Sequence, residues 1–127
     1  FLPMQPRERY PAVLHASDVG LATLHADVKT PVVPSKILSI MAAGLPVVAA
    51  LPLHGDAPRL IEDAACGICL PPEDPQALAE AVLKLHRDRS LRETLGARGR
   101  RYAEEELSLE TCVERYETLM ERVRIEN

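Results

Sequence analysis

A chain of 127 residues holds one domain with a real core and is too short for two independent ones. Hydrophobic residues make up 46% of it and aromatics only 3%, so the core has to be built from Ala, Leu, Val and Ile, a palette that suits helices laid on a parallel sheet. The net charge of -4 comes from 15 basic and 19 acidic residues spread along the chain, which leaves no basic face for nucleic acid, and three cysteines make no disulfide framework and fit a reducing cytoplasm.

The chain opens on Phe1-Leu2-Pro3, which reads as the end of a strand whose beginning lies upstream, and no charged and apolar leader is present at this start. Residues 6–16 predict a short helix with Tyr10, Val13 and Leu14 as its apolar contacts. Residues 19–24, VGLATL, predict a buried strand, and residues 25–33 a surface loop of the kind that carries function. Residues 35–43 turn helical, with Ile37, Leu38, Met41 and Ala42 on one face, Gly44 ending the helix and Pro46 preventing its continuation. A doubly buried strand at 47–50 follows, then a turn at Gly55, a helix of one or two turns at 58–63, and a third strand at 67–70. The apolar run 37–53 is therefore a helix and a strand rather than a membrane span, since Gly44, Pro46 and Pro52 interrupt it.

Asp74 with Pro75 marks a helix start, and Leu78, Ala81, Val82 and Leu85 give its buried stripe. Ser90 with Glu93 predicts a capping box for a second helix. A last helix begins near Ser108, with Leu109, Cys112, Val113, Tyr116, Leu119, Met120 and Val123 as its apolar stripe. Strands alternating with helices predict an α/β fold: a Rossmann-like parallel sheet flanked by helices.

The segment with chemistry is PSKILSIMAAGLPVVA, residues 34–49. A loop here delivers the first turn of a helix, where several amides have no partner and the dipole is positive, which makes an anion site. Lys36 adds a full positive charge at the same end. Pro34 has no N–H, so Val33, Ser35, Lys36 and Ile37 are the backbone donors on offer. Ser35 can cap the helix or donate its hydroxyl to a phosphate oxygen. Ser39, one turn further on, can reach a ribose hydroxyl or bond back to its own helix. In open α/β sheets ligands sit beyond the carboxyl ends of the strands, where this helix begins.

Ser17-Asp18-Val19, then PSKILSIMAAGLPVVA, then GICLPPEDPQALAEAV at 67–82 and Leu95 to Arg100 resemble, in that order, the C-terminal domain of the family 4 retaining glycosyltransferases. That family has the GT-B fold, two Rossmann-like domains facing across a cleft. The resemblance covers nearly the whole chain and implies that residues 1–127 are the C-terminal nucleotide-sugar-binding domain, with the N-terminal domain and the first part of this one elsewhere. It implies donor binding at Val33, Ser35, Lys36, Ile37 and Ser39, transfer from a UDP-linked or other nucleoside-diphosphate sugar to a cell-surface glycan or glycolipid, no metal and no cofactor. It also implies a cytoplasmic site at the inner membrane surface, and no activity in this segment alone. Two glutamates that frame the turn in many members fall at Pro31 and Ser39 here, which is similar to a subgroup with a PSK turn. No residue of this segment is assigned to catalysis. A sugar-nucleotide epimerase of the same architecture carries an acidic and glycine-rich signature that is absent here, and a non-enzymatic module binding a nucleotide or a protein is the alternative from outside the enzymes.

Three further features invite chemistry and have plainer readings. Cys66 and Cys69 have CxxC spacing, but Leu70-Pro71-Pro72 follows where a redox pair would open a helix, so they read as small buried thiols. His15, His25, His54 and His86 lack ligand spacing. Lys84, Arg87, Arg98, Arg100 and Arg101 are diluted by glutamates and read as a solvated helix surface.

Overall fold

The short strands β1 (Gly20–Thr23), β2 (Val47–Ala50) and β3 (Gly67–Leu70) form one parallel sheet in the order β1-β2-β3. The computed structural model describes residues 2–28 and 32–125, so Phe1, the stretch 29–31 in the predicted loop and residues 126–127 lie outside the described residues. A 3-10 turn at Arg7–Arg9 and helix α1 (Tyr10–His15) precede the sheet, where the sequence predicts one helix. Pro11 in the first turn of α1 sets the break. Helices α2 (Ser35–Ala42), α3 (Asp56–Asp63), α4 (Pro75–Arg87), α5 (Arg89–Glu106) and α6 (Leu109–Ile125) complete the chain.

β2 is the middle strand, and all four of its residues are buried. Its Val47 and Ala49 join Ile37, Met41 and Ile61 on one face of the sheet, while Val48 joins Ala81, Leu85 and Leu95 on the other. Helices α2 and α3 therefore cover one side and α4 the other, as a parallel sheet requires. β1 departs from the buried strand predicted. It lies at an edge and alternates, with Gly20 and Ala22 inside while Leu21 is 48% exposed. α2 also turns a different face inward. Ile37, Ile40 and Met41 are buried, whereas Leu38 and Ala42 are exposed, because the helix docks through Ile40 onto Gly20.

Two helices end in the same motif. At α2, the Gly44 amide donates to the Met41 carbonyl (2.9 Å) and the Leu45 amide to Ile40 (3.1 Å), with Gly44 at φ +72°. At α3, the Ala65 amide donates to Glu62 (2.9 Å) and the Cys66 amide to Ile61 (3.2 Å), with Ala65 at φ +45°. Both are Schellman closures, which need a left-handed residue just past the helix. α5 braces α2 at this point: a Cβ on Gly96 would stand 2.1 Å from the Gly44 carbonyl oxygen, so only glycine permits the approach.

Asp74 caps α4, accepting from the Ala77 amide (2.9 Å) with Pro75 at the first position, as the sequence predicts. α5 is capped by Asp88, whose carboxylate accepts from the Leu91 amide (2.8 Å), rather than by Ser90. Ser108 caps α6 by accepting from the Thr111 amide (3.2 Å). The apolar stripe of α6 meets little protein, and Tyr116 is 71% exposed. Among the described residues no helix is long and apolar enough to cross a membrane.

Candidate functional site

β1, β2 and β3 end level, on the rung that pairs Thr23 with Ala50 and Ala50 with Leu70, so the loops that follow all emerge at one end of the sheet. The loop after β1 runs to Pro34, whose φ of -58° and ψ of 123° deliver the chain into α2. Pro34 is the N-cap residue and no side chain caps this helix. Ser35 is therefore the first helical residue, not its cap, and it is exposed together with Lys36.

The first-turn amides divide into two groups. Ile37 donates its N–H to the Pro34 carbonyl (2.9 Å) and its side chain is 0% exposed, so among the four residues expected as donors it has no free amide and serves the core. The tight first turn is the cause, since an i to i+3 bond consumes the amide that an α-helix would leave open. Val33, Ser35 and Lys36 keep amides without a partner among the described residues, and Val33 is 36% exposed. No acidic residue stands in the first turn, and among the described residues no carboxylate pairs with Lys36. A positive dipole end, open amides and an unpaired ammonium thus meet at one exposed corner. Ser39 is half-buried and its hydroxyl donates to the Ser35 carbonyl at 3.5 Å, a long bond that the geometry holds only weakly.

Just ahead of this turn the loops after β1 and β2 enclose a cavity of about 90 Å³, lined by Leu24, Val28, Val32, Leu51, His54 and Asp56 among others. Pockets that enclose a small ligand run to roughly 300–1,000 Å³. The described residues therefore form one wall of a site and not a closed chamber.

The CxxC pair takes no part in it. Cys66 is fully buried, and desolvation pushes its thiol up to about 11; burial first, and then the charge of Glu62, raises the Cys69 thiol. Both stay protonated and unreactive at neutral pH. Among the described residues no group of three or more His, Cys, Asp or Glu is placed to hold a metal. Of the basic cluster, Arg100 pairs with Glu104 one turn along the α5 surface (2.8 Å).

Two arrangements escape the sequence. Arg92 reaches back to donate to the Leu85 carbonyl (2.8 Å), closing the end of α4. His25 and Glu73, 48 positions apart in the chain, meet above the end of the sheet at 3.0 Å. Neither has a local pattern to announce it, because both depend on how the loops come together.

The family model for group 1 glycosyl transferases matches residues 1–88, which span β1 to α4 and include the whole α2 turn. The "Probable glycosyltransferase WbjE" of Pseudomonas aeruginosa is 38% identical over 69 residues, covering 54% of this chain and 17% of that protein. An "Uncharacterized glycosyltransferase" of Methanocaldococcus jannaschii is 27% identical over 116 residues, covering 91% of this chain and 28% of its own length. The chain thus spans less than a third of these relatives, and no solved structure matches it. With its parallel sheet, its level strand ends and a family match over more than two thirds of its length, the chain belongs to the group 1 glycosyl transferases.

Proposed function

We propose that this chain supplies the donor-binding wall of a glycosyltransferase, and that the opening turn of α2 holds the diphosphate of a nucleoside-diphosphate sugar. The observation that carries the reading is the exposed, uncapped start of α2, where the amides of Val33, Ser35 and Lys36 and the Lys36 ammonium have no anionic partner among the described residues. The Ser35 hydroxyl adds a donor beside them. Ser39 reaches toward the ribose, and its weak bond to Ser35 is exchanged for one to a sugar hydroxyl.

In transfer, the bond between the anomeric carbon and the diphosphate oxygen breaks, and negative charge grows on the departing diphosphate. Donors fixed at the start of α2 stabilise that charge more than they stabilise the intact donor, which lowers the barrier. The remaining parts of the site, including the groups that act on the acceptor, belong to the rest of the enzyme. UDP is the nucleotide we infer, with a cell-surface glycan or glycolipid as acceptor and the cytoplasmic face of the membrane as the place of reaction.

In the full-length enzyme, Lys36→Ala weakens UDP binding by about 1 to 3 kcal/mol, the scale of one charge-assisted contact. Calorimetry with UDP and a panel of UDP-sugars measures it, and an unchanged affinity would sink the assignment. Donor hydrolysis by the same panel separates a transferase from a module that only binds.

A further inference from the structure

We infer that Glu73 is a positioning residue for the donor site: its carboxylate clasps the loop that leads into α2 and so fixes where the diphosphate-binding turn stands. The inference rests on the donor-site reading above. Glu73 lies in the turn after β3, while the loop it grips follows β1, so the contact bridges over the end of β2. Glu73 Oε1 accepts from the Ala26 amide (3.3 Å) and stands 3.0 Å from His25 Nε2. Among the described residues, these are the only side-chain polar contacts that reach the loop from another element.

His25 is engaged from both sides: its Nδ1 faces the Asp27 amide and the Asp27 carboxylate (3.4 Å each), and its Nε2 faces Glu73. Beside the clasp lies an open depression of about 340 Å³ with Leu24, Ala50 and Leu78 in its wall.

Glu73 also sits at φ +61°, in the left-handed region where a side chain costs roughly 1 kcal/mol or more relative to glycine. Local turn chemistry favours glycine here, so the carboxylate stands at a position the backbone would give to glycine. An exposed ion pair alone contributes little to stability. The side chain's effect falls on the loop.

Glu73→Gly separates the two roles, because it removes the carboxylate and relieves the backbone together. In the full-length enzyme, Glu73→Gly raises the KM for a UDP-sugar about three- to tenfold and weakens UDP to the same degree, with kcat held within about twofold. Thermal stability stays level or rises. Glu73→Gln, whose side-chain oxygen still accepts from Ala26 and His25, brings KM back to within about twofold of the parent. The clasp is overturned if Glu73→Gly leaves KM and UDP affinity unchanged while Lys36→Ala weakens UDP, or if kcat falls in step with KM. Unchanged UDP affinity in both Glu73→Gly and Lys36→Ala removes the donor-site reading itself, and the clasp with it.

Discussion

Ala65 and Gly44 occupy the same place in two helix endings, and only one of them is suited to it. A left-handed alanine costs roughly 1–2 kcal/mol against glycine, part of which is offset by the greater freedom glycine has in the unfolded chain. Ala65→Gly therefore stabilises the protein by about 0.5 to 1 kcal/mol, measured by urea unfolding with an unchanged m-value. Cys66, the next residue, sets a different test. Its folded thiol titrates near 11 against 9.0 when exposed, so above pH 9 the unfolded chain loses a proton that the folded chain keeps. Stability is flat around neutral pH and falls as the pH rises from 9 toward 11. Unfolding midpoints across that range check this, and the decline is shallower in Cys66→Ala.

At the level of elements, the cap of α5 shows what a local motif can and cannot tell. Ser90 and Glu93 fit a capping box, yet Asp88 lies two residues upstream with an equally good oxygen, and the Leu91 amide takes it. Asp88→Ala costs about 1 kcal/mol, whereas Ser90→Ala is nearly neutral, and denaturation of the two variants distinguishes the caps. The α2–α5 contact makes a larger demand. Gly96→Ala pushes a methyl into the Gly44 carbonyl and destabilises the fold by about 1 to 3 kcal/mol, the range of an overpacked contact, readable as a lowered midpoint.

The same contrast divides the features that are legible in the sequence from those that are not. Asp74-Pro75, Gly44 and Ser108 act within a few residues, so the sequence locates their helix ends closely. The inward face of α2 depends on Gly20, on another strand, to decide that Ile40 and not Leu38 is buried. Within the candidate site, the exposed Ser35 and Lys36 follow from the position of Pro34, while the engaged Ile37 amide follows from the tightness of a turn that composition does not encode. The grip of Glu73 on His25 and Ala26 lies beyond any local pattern, because it joins loops from two strands.

On the scale of the whole molecule, order is uneven. The sheet and the inner faces of α2 to α5 hold the buried side chains, while among the described residues α6 contributes none that is fully covered and leaves Leu109, Tyr116, Leu119 and Met120 in solvent. Its amides depend on the helix's own bonds, and side-chain ties such as the Arg115–Glu106 pair link it to α5. Helices without tertiary support are marginal in water. In hydrogen exchange by mass spectrometry on residues 1–127, α6 exchanges well ahead of α4 and β2, and equal protection would count against this ranking.

The shared rung on which all three strands stop has a further bearing. An added residue within β2 would lift its following loop by about 3.3 Å relative to its neighbours and turn Val47 and Val48 to the wrong faces. Variation in what this end of the sheet recognises is thereby confined to the length and chemistry of the connecting segments, because the strands beneath them do not accept a change of count.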